Sequence, residues 1–108
     1  MAWVSGSVSG IVTSGTLVVD TGQLPSTGVV NVGIIVNGTV TCSVLFQHMD
    51  TMDSTILQEQ EVTVLATATP IFGGNSLVVS VSQNERLRII TNSAISTGNI
   101  SCSIFYSY

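Results

Sequence analysis

The chain's one histidine, His48, lies in the run Gln47-His48-Met49-Asp50-Thr51-Met52-Asp53, and with Glu59 and Glu61 downstream this stretch holds four of the six acids. Imidazole and carboxylates at close spacing can ligate a divalent cation or relay a proton to a nucleophile. The spacing of His48, Asp50 and Asp53 matches no calcium loop, which needs oxygen ligands at alternate positions closed by a bidentate glutamate. A serine nucleophile needs a base and a sharp Gly-x-Ser-x-Gly turn, and the nearest candidate, Gly6 to Gly10, has Val8 at its centre. No glycine-rich phosphate cradle or paired-cysteine motif occurs. Cys42 and Cys102 have no histidine near them in sequence and cannot complete a four-ligand zinc shell. These residues predict a non-enzymatic chain with no cofactor, no catalytic group and no metal.

The balance of charge narrows the partners. The chain has 108 residues, two arginines, no lysine and a net charge of −4. Nucleic acid and anionic membrane surfaces both require clustered cations, so neither is an expected partner. No apolar run approaches the roughly 18 residues of a membrane span. The start, Met-Ala-Trp-Val-Ser-Gly, lacks the charged and apolar regions of a signal peptide, which predicts synthesis in the cytoplasm. Only 7% of residues are charged, against about a quarter in a typical soluble protein. Serine and threonine take the polar positions. Such a surface does little to keep copies apart, so it suits either a harsh extracellular setting or an assembly that covers it. The expectation is assembly.

These residues are positioned by strands. Val40, Cys42, Val44 and Phe46 alternate with Thr39, Thr41 and Ser43, and the same period of two recurs at Val62–Thr69, Leu77–Val81 and Leu87–Ile89. Turn residues separate the runs: Ser14-Gly15, Thr27-Gly28, Asn37-Gly38, Gly73-Gly74-Asn75, Gln83-Asn84 and Thr97-Gly98. Asn37-Gly38 between apolar runs predicts a tight hairpin. The fold class is all-β: an antiparallel two-sheet sandwich of about eight strands, jelly-roll-like or Greek key, in one domain over residues 1–108.

A repeat lies within it. Shifted by about 60 positions, Leu17-Val18-Val19 falls on Leu77-Val78-Val79, and Val29-Val30 falls on Ile89-Ile90. Gly38 to Phe46 falls on Gly98 to Tyr106, with Cys42 on Cys102. Two half-repeats, 1–46 and 61–108, are therefore expected, joined by a solvated connector over 47–60. The two thiols are either free core residues, as buried cysteine is in a reducing cytosol, or a disulfide across the halves.

Five residues are candidates for an interface. Met49 and Met52 lie beside the acids of the connector, where apolar side chains either fold back or offer an adaptable contact. Arg86 and Arg88 flank Leu87 and share the opposite strand face. They act either as gatekeepers against edge pairing or as anchors for an acidic group on a neighbouring subunit. Trp3, in the first strand, either caps the core or plugs a partner's groove.

The lysine-free Ser/Thr/Val/Gly texture and the run from Leu77 through Arg86-Leu87-Arg88-Ile89, followed by a final strand between Gly98 and Tyr108, resemble the small β-sandwich virion proteins of tailed phages, of the head decoration or capsid cement type. Similar endings occur in many jelly rolls, including trimeric tumour-necrosis-factor-like heads. The resemblance covers about half the chain and transfers no functional residue. It implies a homotrimer bound to a capsid or other virion protein, located in the virion after synthesis in the host cytoplasm. Such a protein binds only the assembled shell, so its binding free energy adds to shell stability. Two alternatives remain open. A fibre-tip or adhesin-like module for a receptor or glycan requires exposed aromatics and a polar pocket. A pilin-like filament subunit would donate Ala2 to Val12 to a neighbour's sheet.

Overall fold

The alternating runs form nine strands in a computed structural model that describes residues 2–64, 71–72 and 77–108. They are β1 (Ala2–Ser9), β2 (Leu17–Asp20), β3 (Gly28–Gly38), β4 (Cys42–Met49), β5 (Ile56–Val64), β6 (Ile71–Phe72), β7 (Leu77–Val81), β8 (Arg86–Thr91) and β9 (Asn99–Ser107). All pairings are antiparallel. One sheet runs β1-β9-β3, with β6 and β7 both on the far side of β3; the other runs β2-β8-β4-β5. Counting β6 and β7 as one interrupted strand gives eight, in the order of a jelly roll. The expected turn Gly73-Gly74-Asn75 and residues 66–69 of the expected strand lie outside the described residues.

Period two explains the core. Val30, Val32, Ile34 and Val36 of β3 point inward and are buried, as are Val44 and Phe46 of β4, Leu87 and Ile89 of β8, and Ile100, Cys102 and Ile104 of β9. Each side chain fully withdrawn from water in this way contributes roughly 1.5–3 kcal/mol before entropy is counted. Cys42 and Cys102 are both free thiols in this core.

The two sheets have matching strand orders. Replacing β1, β2, β3 and β4 by β5, β7, β8 and β9 turns one sheet order into the other. The offset of 60 keeps Cys42 and Cys102, and Val44 and Ile104, on the inward face. It fails in two places: Val18 is buried while Val78 is exposed, and Val29 points outward while Ile89 is buried, so β3 and β8 correspond with a one-residue slip. Since a slip of one reverses every face, type similarity alone misaligned these strands.

Two other expectations are corrected. Residues 47–60 are not a solvated connector: β4 runs on to Met49, turns at Asp50–Thr55, and returns as β5 in a long hairpin. The Asn37-Gly38 pair makes no tight hairpin, because β3 and β4 belong to different sheets. Neither Asn37 nor Gly38 has the positive φ that such a turn demands. It is a corner where the chain crosses between sheets.

The sandwich is wedge-shaped. Where β1 faces β2, Gly6 lies against the backbone carbonyl of Val18, and a Cβ at Gly6 would collide with that oxygen. The absence of a side chain lets the sheets close there. At the opposite side, β5 and β7 leave a cleft of about 150 Å³.

Candidate functional site

The outer face of the β2-β8-β4-β5 sheet carries the charge. Asp20, Arg88, Gln47 and Glu59 are cross-strand neighbours in one row over all four strands. Arg88 Nε donates to Gln47 Oε1 at 2.8 Å, and Gln47 Nε2 donates to Glu59 Oε2 at 2.7 Å. Arg88 also lies 3.4 Å from Asp53 on the hairpin turn, and Arg86 lies 3.5 Å from Asp20. In that turn Asp50 accepts the N–H groups of Ser54 at 2.8 Å and Thr55 at 3.2 Å. These backbone donors hold its carboxyl below the usual range. Asp53 adopts positive φ, a conformation aspartate tolerates.

This arrangement decides several of the interface candidates. The arginines lie on β8, an interior strand between β2 and β4, so there is no edge for them to guard. Each lies within ion-pair distance of an aspartate of the same chain, while Arg86 Nε has no hydrogen-bond partner among the described residues. Met49 is 1% exposed, opposite Arg86 at the end of β4, whereas Met52 is 82% exposed at the hairpin tip.

The opposite sheet presents a different surface. Its outward residues on β1 are Trp3, Ser5, Ser7 and Ser9; their partners on β9 are Phe105, Ser103, Ser101 and Asn99. Next across, on β3, come Gly33, Ile35 and Asn37. Every charged side chain of the protein belongs to the other sheet or to the turns at its strand ends. Trp3 is 63% exposed and meets Phe105 edge-on, with ring centroids 5.1 Å apart. It therefore does not cap the core. Gly33 pairs with Phe105 and has nothing within 4 Å of where a Cβ would be, leaving a shallow hollow beside the aromatic pair.

His48 points into the sandwich. It is 4% exposed; its Nε2 donates to Glu85 Oε1 at 2.9 Å, and its Nδ1 lies 3.3 Å from Gln58 Oε1. Glu85 also accepts the Ser82 N–H at 2.7 Å. Among the described residues, no three of His, Cys, Asp and Glu converge on a point that could hold a metal ion.

No family model matches the chain, and no curated protein matches it. Among solved structures it is similar to the CBM22-1 and GH10 modules of Clostridium thermocellum endo-1,4-beta-D-xylanase 10B, complexed with xylohexaose. That likeness has 12% identity and a TM-score of 0.51, and it covers 98% of this chain but 26% of that one. At this identity it shows the fold, a β-sandwich, and nothing finer. The chain spans about a quarter of the length of the protein it matches.

Two features were not found from the sequence. The Arg88–Gln47–Glu59 row joins positions on three strands and has no local signature. The uncharged face did leave a signal, the alternation Trp3-x-Ser5-x-Ser7-x-Ser9, but its continuation on β9 and β3 depends on non-local pairing.

Proposed function

We propose that this chain is a non-enzymatic structural module that assembles with copies of itself through the uncharged outer face of the β1-β9-β3 sheet. The observation that carries this reading is the segregation of charge. Copies meeting through the other sheet would bring carboxylates together. Copies meeting through the uncharged face keep the two charged faces on opposite sides of the pair, separated by both sandwiches, each 18 Å in its shortest extent, where screening over roughly 8 Å leaves little repulsion. Trp3 and Phe105 supply the aromatic anchor that such interfaces favour, and the hollow at Gly33 can receive a partner's ring. The likeness to the xylanase modules concerns the fold and does not bring xylohexaose to this chain.

The test is solution mass by light scattering at micromolar concentration, for the wild type and for Ser103→Glu, which places charge in the middle of the face. A closed oligomer, a trimer in the capsid-decoration form of this reading, that falls to monomer in the variant is expected. A wild type that is monomeric, or an oligomer indifferent to S103E, overturns it. The decoration role additionally requires that the oligomer raise the melting temperature of a phage shell that carries it.

A further inference from the structure

We infer that the cleft between β5 and β7 is a binding site for a neutral, hydroxyl-bearing saturated ring, of the kind a single sugar residue presents. The site is independent of the assembly face. The inference starts from two residues of the wrong type for their position. By register Gln60 is opposite Phe46 and Gln58 is opposite His48, and opposed residues share a face. Phe46 and His48 point into the sandwich, so Gln58 and Gln60 occupy inward positions where a sandwich ordinarily places apolar side chains. They do not seal the sheets together. Because the wedge is closed at Gly6 and open here, the two amides line a cleft whose floor is Phe46 and His48 and whose far wall is Val78 and Val79.

The chemistry of the lining selects the ligand. Both arginines lie on the outer face of the sheet, and the His48 ring is bonded to Glu85 at 2.9 Å. The cleft therefore offers an anion no arginine, and the one carboxylate among its lining residues, Glu59, already accepts a hydrogen bond from Gln47. Each glutamine amide is both donor and acceptor, which suits adjacent hydroxyls that also do both. The valines suit the C–H face of a saturated ring. Phe46 is only 4% exposed, too little for the face-to-face stacking that holds a planar base. At about 150 Å³ the cleft lies below the roughly 300–1,000 Å³ of sites for drug-sized ligands, which limits it to one small ring or the end of a chain of them.

The test is an NMR titration of the labelled full chain with xylose, glucose and N-acetylglucosamine, read at the side-chain amides of Gln58 and Gln60 and at the His48 ring. Saturable shifts confined to these groups, at millimolar concentration of at least one sugar, are expected. In Gln60→Ala the affinity should fall about tenfold or more, the equivalent of one lost hydrogen bond to a ligand. Among the described residues the exposed Gln60 side chain bonds only to the Glu61 carbonyl, so this variant keeps the fold, as an unchanged melting temperature will show. Absence of shifts with all three sugars, or shifts that persist undiminished in Q60A, overturns the site. Equal shifts with cyclohexanone or adenine, which carry no hydroxyl, overturn the assignment to a hydroxyl-bearing ring.

Discussion

Thr39 and Asn99, sixty positions apart, are bonded to each other through two hydrogen bonds. The Thr39 N–H donates to the Asn99 carbonyl at 3.1 Å, and Thr39 Oγ1 accepts the Asn99 N–H at 2.9 Å. Two corners sixty residues apart in sequence thus close the same end of the sandwich. The contact needs Gly98, which has φ of 97° and leaves no room for a Cβ: one would lie 2.7 Å from both Thr39 Oγ1 and Val40 Cγ1. Gly98→Ala should therefore cost about 2–3 kcal/mol, through strain and displacement together. Thr39→Val should cost only about 1 kcal/mol for the lost bond. Urea midpoints at constant m-value give both numbers, and equal costs would mean that the glycine is not needed for the approach.

Gly6 makes a sharper demand. Its missing side chain admits the Val18 carbonyl, and that neighbour is backbone, which cannot rotate away. Gly6→Ala should destabilise by about 3 kcal/mol or more, at the upper end of overpacking costs. Gly33→Ala, on the same sheet but with open space above it, should stay within about 1 kcal/mol. Thermal melts of the two variants check the contrast, and similar melting temperatures would show that the sheets do not pinch at β1 and β2.

Strands whose one face is buried were legible, because burial imposes period two on residue type. Val30 to Val36, Val44 to Phe46 and Ile100 to Ile104 announce themselves in this way, and with them the sandwich. β5 did not, because it is a sheet edge beside an open cleft and carries Gln58-Glu59-Gln60-Glu61 with no alternation. The same polarity that hid it as a strand marks it as the wall of the candidate site. The alternation at Arg86 and Arg88 revealed a strand face, but not that β8 is interior. Its neighbour β2 comes from the opposite end of the chain, and no local pattern encodes that pairing. Trp3 was legible as a strand residue, yet its direction depended on β9, whose Phe105 it meets.

The core thiols give a dependence on pH. Burial pushes Cys102 up to about 12, helped by its nearness to Cys42, and burial also raises Cys42. A raised folded-state value means that the neutral thiol is favoured in the fold. The resulting stability is fully present below about pH 9, the unfolded value, and is lost as pH climbs from there towards 12. Alkaline unfolding is expected in that window, and Cys102→Ala should flatten the dependence while lowering stability at neutral pH through the cavity it leaves. The folded protein should also leave a thiol reagent unreacted at pH 8 until denaturant is added. Rapid reaction of the native chain would place at least one sulfur at the surface.

Gln47 tests whether the charged sheet is a network or a set of separate contacts. It is 1% exposed, and its one amide accepts from Arg88 and donates to Glu59. Gln47→Leu keeps the volume and removes both bonds. Glu59 is exposed and regains water, but Arg88 is partly covered and does not, so a loss of about 2 kcal/mol is expected. Gln47→Glu separates the two halves of the network. The new carboxylate can still accept from Arg88, but it faces Glu59 at hydrogen-bond distance, where two like charges cannot both be ionised. The pair retains a proton in the fold, so its folded-state value is raised and the variant should lose stability as pH rises from about 4 to 7. The wild type has no such pair, and Gln47→Glu with Glu59→Gln should abolish the dependence. Denaturant midpoints of the three proteins across that range decide it: a Gln47→Glu profile parallel to the wild type would mean that Glu59 swings into solvent and that the row ends at Gln47.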